Sequence, residues 1–183
     1  MHIDELTTPR LILRRFRDSD LEPFVAMNAD PEVMAHYPKT MTREESVVQL
    51  ERIATHFEKF GYGVWAVEHR DTHAFVGAVG IFHSRFEAHF TPCVELFWRL
   101  ARAHWGSGFA TEAAYAARDV GIDRLRFPEI VAFTSEQNKR SRRVMERIGM
   151  SRNPADDFDH PSVPPGHPLS RHVLYRYRKS TKL

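Results

Sequence analysis

The first regular alternation of apolar and polar side chains falls at residues 10–16, RLILRRF, with Leu11 and Leu13 on one side and Ile12, Arg14 and Phe16 on the other. A period of two predicts a strand. The period then lengthens. Leu21, Phe24, Val25 and Met27 recur at helical spacing behind Asp18, Ser19 and Asp20, which are suited to capping, and Asp30 with Pro31 closes the run. Thr42 and Glu45 have the form of a capping box, and Val47, Leu50, Ile53, Ala54, Phe57 and Phe60 share one helical face until Gly61. Runs rich in β-formers at 64–68, 75–82 and 93–100 predict three consecutive sheet neighbours. Ala110, Ala113, Ala114, Ala117, Val120 and Gly121 give a helix over 107–123 whose small buried stripe lets it lie close to a sheet. A strand at 129–134, a helix at 136–148 stopped by Gly149, and a last strand at 173–177 follow. Strand, helix and strand in that order imply a right-handed parallel crossover. Residues 153–170, rich in proline and poor in aromatics, read as a loop, and 179–183 as a frayed end. The pattern is that of an α/β protein, an α+β mixed sheet, in one domain over 1–183.

Composition narrows the function classes. Of 183 residues, 42% are hydrophobic and 27% charged, which excludes a disordered or fibrous chain. The 26 Lys and Arg against 24 Asp and Glu leave +2, too little to point to nucleic acid. The single Cys93 can form no internal disulfide and, inside an apolar strand, reads as inert packing; a reducing, cytoplasmic setting is expected. The N-terminus lacks the basic start and apolar run of a signal peptide, and no run is long enough to span a membrane. His160, His167 and His172 fit no metal-ligand spacing, so no metal is expected.

The chemistry concentrates at residues 105–112, Trp-Gly-Ser-Gly-Phe-Ala-Thr-Glu, between a strand and the alanine-rich helix. The first-turn amides of a helix have no carbonyl partners and sit at its positive end, so Gly106 and Gly108 open either an anion site or merely a tight turn. Neither a Walker A loop nor a G-x-G-x-x-G fingerprint is present. Trp105-x-x-Gly108-x-Ala110 resembles the Q/R-x-x-G-x-G/A pyrophosphate loop of the GNAT acetyltransferases. The stretch from His104 to Ala113 is similar to the "YWG-x-G-Y/F-A-T-E-A" of their RimJ/RimL-like branch, in which Trp at this position is usual. Thr8-Pro9-Arg10-Leu11-Ile12-Leu13-Arg14 is similar to that branch's "T-x-R-L-x-L-R". Asn28-x-Asp30-Pro31-Glu32-Val33-Met34 matches its "N-x-D-P-x-V-M", and Asn138-x-x-Ser141 with Ile148-Gly149-Met150 its late segment.

That resemblance implies the GNAT fold, a central twisted, mostly antiparallel sheet with a parallel crossover flanked by helices, and acetyl-CoA as co-substrate. It implies that the amides of Gly106, Ser107, Gly108, Phe109, Ala110 and Thr111 cradle the pyrophosphate and that Asn138 and Ser141 contact coenzyme A. By position alone, Trp98 and Leu100 fall on the strand that pairs with the pantetheine arm and polarises the thioester carbonyl. Asn138 could equally cap its helix, and Lys139, Arg140, Arg142, Arg143 and Arg147 could be a solvated basic face.

Direct attack by an amine needs a neutral nucleophile, and Glu95, in mid-strand, is the candidate general base because burial would raise its pKa. An ordinary strand carboxylate is the alternative. The family's tyrosine acid, seven residues after the Asn, is replaced by Met145, leaving Tyr175 or His160 as candidate proton donors. The expected acceptor is a protein N-terminus or a small-molecule or peptide amine, held by the loops at 83–92 and 153–170. A homodimer is compatible with the family. A non-catalytic acyl-CoA sensor and a nucleic-acid binder using the basic helix are the rival readings.

Overall fold

The structure is a computed structural model that describes residues 2–179; of the end expected to fray, only Lys179 falls among them, and it pairs with Asp123 at 2.5 Å. Nine strands form one sheet: β1 (Glu5–Thr7), β2 (Leu11–Arg14), β3 (Val64–His69), β4 (Phe75–His83), β5 (Val94–Leu100), β6 (Glu129–Ser135), β7 (Ser151–Arg152), β8 (Phe158–Asp159) and β9 (Arg171–Arg178). Their order is β1-β2-β3-β4-β5-β6-β9-β7, with β8 also on β9. Every neighbouring pair is antiparallel except β5 with β6, as the strand-helix-strand order requires. The mixed sheet flanked by helices is therefore as expected.

Four helices cover the sheet: α1 (Leu21–Ala29), α2 (Arg43–Phe60), α3 (Phe109–Asp119) and α4 (Lys139–Arg147). Phe24 and Met27 of α1 pack on Val64 and Ala78 on one face. On the other, Ala113, Ala114 and Ala117 of α3 lie fully buried with Val79, Ile81 and Leu96. The capping box on α2 is formed, Thr42 accepting from the Glu45 amide and Glu45 from the Thr42 amide, and Gly61 ends the helix at φ 73°. Leu11 and Leu13 are both 0% exposed, and burying each contributes roughly 1.5–3 kcal/mol.

Several boundaries differ from the periodicity, each for a local reason. Helix α3 starts at Phe109, because Gly108 stands before it in the left-handed conformation, and gives way at Val120–Arg124 to a wider π turn. Helix α4 starts at Lys139, because Asn138 caps it. Asp20 does not cap α1; it is buried and holds Arg14 at 2.7 and 2.9 Å, while the other edge of that guanidinium reaches Glu68. The hydrogen bond from Arg14 to Asp20 is the main reason that the Arg14 pKa lies above the ordinary arginine value. Strand β1 is too short and polar to show a period. The loop at 153–170 carries β8, whose Phe158 is buried among aromatics, so that segment joins the core after all.

Gly80 fixes how closely β3 and β4 approach. A Cβ there would meet the Gly63 carbonyl oxygen at 2.1 Å and the Val64 Cα at 2.4 Å, both backbone atoms. Gly80→Ala is expected to destabilise the fold by about 2–3 kcal/mol in urea unfolding with an unchanged slope. An unchanged midpoint would contradict the packing described.

Candidate active site

Strands β5 and β6 share a single register pair, Glu95 with Val131. Beyond it β5 continues to Leu100 and β6 to Ser135 with no further pairing, so peptide groups along β5 are left for another partner. Alternation assigns the side chains of β5 to the two faces. Val94, Leu96, Trp98 and Leu100 enter the core beneath α3, while Glu95, Phe97 and Arg99 face the side of α1.

At the end of β5 the chain folds back through residues 101–108. The Ala101 amide donates to Val76 and the Trp105 indole to the Leu100 carbonyl at 2.9 Å. Gly106 and Gly108 have φ values of 81° and 80°, which glycine adopts without a steric cost, and residues 106–108 are exposed. The amides of Phe109, Ala110 and Thr111 then form the first turn of α3, at its positive end. Nothing lies within 4 Å of where a Cβ on Gly106 would stand, so the loop rim is open.

The loop is held from behind by the N-terminal segment. Glu112 accepts from the Thr8 hydroxyl at 2.6 Å, the Arg10 amide at 2.9 Å and the Arg10 Nε at 2.7 Å. Arg10 Nη1 donates to the Ser107 carbonyl at 2.9 Å, and the guanidinium lies 4.7 Å over the Phe109 ring. Burial of Glu112 opposes its charge, but the Thr8 and Arg10 hydrogen bonds prevail and hold its carboxyl below the ordinary range. Thr8, Arg10 and Glu112, quoted above only as parts of two distant motifs, are thus one clasp.

Helix α4 brings its N-terminus to the same opening. Asn138 accepts from the Ser141 amide at 3.2 Å and donates to Thr134 at 2.9 Å and to the Ser141 hydroxyl at 3.1 Å. Trp98 reaches Ser141 from β5 at 3.3 Å. Asn138 is therefore the helix cap, and its contact with a ligand is an additional reading. Arg140 lies 4.5 Å over the Trp105 ring, so one member of the basic run is placed at the loop.

The candidate catalytic residues do not all share one side of the sheet. Glu95 is only partly exposed; burial pushes its pKa up to about 7, against the opposing hydrogen bond from the Ser84 hydroxyl at 2.7 Å. Tyr175 belongs to the face of α3 and α4, 3% exposed, and its hydroxyl donates to Glu146 at 2.9 Å. The sheet separates it from Glu95. His160 packs 4.6 Å from Phe86 and 4.9 Å from His172, and burial lowers its pKa to about 4. At neutral pH it is an uncharged ring, so it supplies no imidazolium proton. Met145, at the position of the family's tyrosine, is 1% exposed in the core. Among the described residues no group of three or more potential metal ligands comes together, and no helix is long and apolar enough to cross a membrane.

The family profile described as "Acetyltransferase (GNAT) domain" matches residues 10–151, and the chain belongs to that family. It is 32% identical over 147 residues to the uncharacterized protein YkkB of Bacillus subtilis strain 168, covering 80% of this chain and 84% of YkkB. The crystal structure of an acetyltransferase from Agrobacterium tumefaciens strain C58 is similar at a TM-score of 0.79 and 28% identity, over 98% of this chain and 96% of that one. A putative ribosomal-protein-serine acetyltransferase from Vibrio cholerae shares the fold at a TM-score of 0.76 and 18% identity, over 97% and 99% of the two chains. The chain is an acyltransferase, and acetyl-CoA is the donor its family uses.

The residues present fit that donor: an exposed, left-handed glycine loop at a helix N-terminus, a cation beside it, and a length of β5 whose β6 side is left unpaired. If the clasp shapes the loop, Glu112→Ala should weaken acetyl-CoA binding about tenfold, equivalent to about 1.4 kcal/mol, in calorimetric titration. An unchanged Kd would show that the loop holds its shape without Thr8 and Arg10.

Proposed function

We propose that the protein transfers an acetyl group from acetyl-CoA directly to a primary amine, with Glu95 as the general base. The observation that carries this reading is the carboxylate of Glu95, raised to about 7 by burial and standing at the one point where β5 and β6 meet. A base works best when its pKa lies near the working pH, because it is then both ionised and basic enough to take the proton. Ser84 orients the carboxylate by its hydrogen bond to Oε2.

When bound, acetyl-CoA supplies an activated acyl group as a thioester. The amides of residues 106–111 and Arg140 would hold its phosphates, and unpaired peptide groups of β5 its extended arm, with Trp98 and Leu100 as the core side chains of that strand. Glu95, on the opposite face of β5, would take a proton from the acceptor's ammonium, directly or through a water, so that the neutral amine attacks the thioester. In this reading the thiolate leaves without a protein acid, since the Tyr175 hydroxyl is engaged by Glu146 and the His160 ring is uncharged at neutral pH. The acceptor would enter from the side of the 30–41 and 83–92 segments. A cytoplasmic location and a homodimer are compatible with this reading. The sensor alternative predicts binding without turnover.

The pH dependence tests the assignment. With acetyl-CoA and its proper acceptor, the rate should rise through about pH 7 as Glu95 ionises, and Glu95→Gln should remove that limb and lower kcat by about 100- to 10,000-fold. A normal rate for Glu95→Gln from pH 6 to 9 would overturn it.

Stability gives a second readout. The folded carboxyl keeps its proton up to about 7, whereas the unfolded one loses it near the ordinary 4.5, so the wild type loses stability as pH rises across that window. Glu95→Gln should accordingly be more stable than wild type by about 1–3 kcal/mol at pH 8 and equal to it below pH 4.5, read by urea unfolding. A variant equally stable at both pH values would show that Glu95 is not desolvated.

A further inference from the structure

On the same face of β5 as Glu95, four residues on, Arg99 is 6% exposed and has no carboxylate partner among the described residues. Its Nη1 donates to Asn28 Oδ1 at 2.7 Å and lies 3.5 Å from Gln49 Oε1 and 3.7 Å from Met41 Sδ. Its Nε is buried, and neither Nε nor Nη2 finds a hydrogen-bond partner among the described residues. The two flat faces of the guanidinium are covered, by Tyr37 at 4.4 Å and Phe97 at 5.3 Å. What remains is the edge carrying Nε and Nη2.

A buried cation with no counter-ion is costly, and the aromatic faces offset only part of that cost. This unpartnered edge is the planar fork that matches a carboxylate through two parallel hydrogen bonds. A strut between β5, α1 and α2 needs only Nη1 with Asn28, which Ser46 in turn receives at 3.1 Å, and leaves the fork unexplained. The 30–41 segment that carries Tyr37 also reaches β6, where His36 Nδ1 lies 3.1 Å from Ser135 Oγ, so it lies over Arg99 and the neighbouring end of β6. Along an extended strand the Cα atoms of Glu95 and Arg99 stand about 13 Å apart, with both side chains on one face. Helix α3, which the glycine loop opens, lies on the opposite face of the sheet from the fork.

Resting on the transfer reading above, we infer that the acceptor is a small amine that also carries a carboxylate, the amine presented to Glu95 and the carboxylate held bidentate by Arg99. The acceptor class is thus the free amino acids and similar amino carboxylates rather than uncharged amines or internal peptide segments.

The test uses the full-length protein at pH 7.5 and pairs of L-amino acids with their carboxamides, spanning small, aliphatic, aromatic and acidic side chains. The Nε–H signal of Arg99, assigned by its loss in Arg99→Lys, should shift on adding at least one acid and stay unmoved by its carboxamide. In thiol release with acetyl-CoA, that acid should exceed its carboxamide about 100-fold in kcat/KM. Arg99→Lys should raise the KM for the acid and narrow the preference below tenfold, with the KM for acetyl-CoA unchanged. An Nε–H signal that no acid moves overturns the proposal, as does equal turnover of acids and carboxamides or better turnover of C-terminally amidated peptides. Calorimetry with acetyl-CoA on the same samples separates the two readings. No binding there refutes the transfer reading, whereas the Arg99 signal stands or falls with the carboxylate alone.

Discussion

The rest of the site depends on one parallel pair of strands that touch at one register position. Glu95 and Val131 mark the point where β5 and β6 meet, and past it each strand runs on unpaired by the other. Buried peptide groups need partners, so an opening of this kind is tolerated only where a ligand or water completes it. It also makes the two faces of β5 different in kind. One face, with Leu96, Trp98 and Leu100, packs under α3; the other presents Glu95, Phe97 and Arg99 to the segments that follow α1 and β4. In the proposed reading, donor and acceptor sides are thereby separated by a single strand.

The loop before α3 is the second element, and its shape comes from distant chain. Glycines at 106 and 108 permit the backbone to turn, but permission is not order. Order comes from Glu112, on the first turn of α3, which gathers the Thr8 hydroxyl and the amide and guanidinium of Arg10. Arg10 in turn holds the Ser107 carbonyl, so that carbonyl faces the protein. An exposed ion pair is worth little by itself, yet here the same carboxylate also closes backbone and hydroxyl bonds, and its effect is on geometry.

Much of this was legible in the sequence. Periodicity gave the principal strands and all four helices, because each has a buried face long enough to repeat: the alanine stripe of α3 and the apolar face of α2 are examples. Strands β1, β7 and β8 were not, since two or three residues cannot show a period. Of the site, the glycine loop was readable because backbone that must take positive φ leaves glycine behind, and Asn138 and Ser141 because they sit one turn apart. Arg99 left no signal: one arginine in an apolar strand looks like any edge residue until its burial and missing partner are known. That Tyr175 lies on the other face from Glu95 was not legible either, since strand alternation alone does not say which side of the sheet a distant residue will share. The burial of His160 left no signal because the aromatic rings around it, Phe86, Phe133 and His172, come from three separate segments.

The central claim is that the opening beyond Glu95 and the amides at the start of α3 together receive the acyl donor. Amide hydrogen exchange with and without saturating acetyl-CoA tests it most directly. The account predicts protection confined to two stretches, residues 106–111 and the β5 peptide groups from Leu96 to Leu100, with α1 and α2 unchanged. Binding that protects neither stretch, or no binding at all, would contradict it.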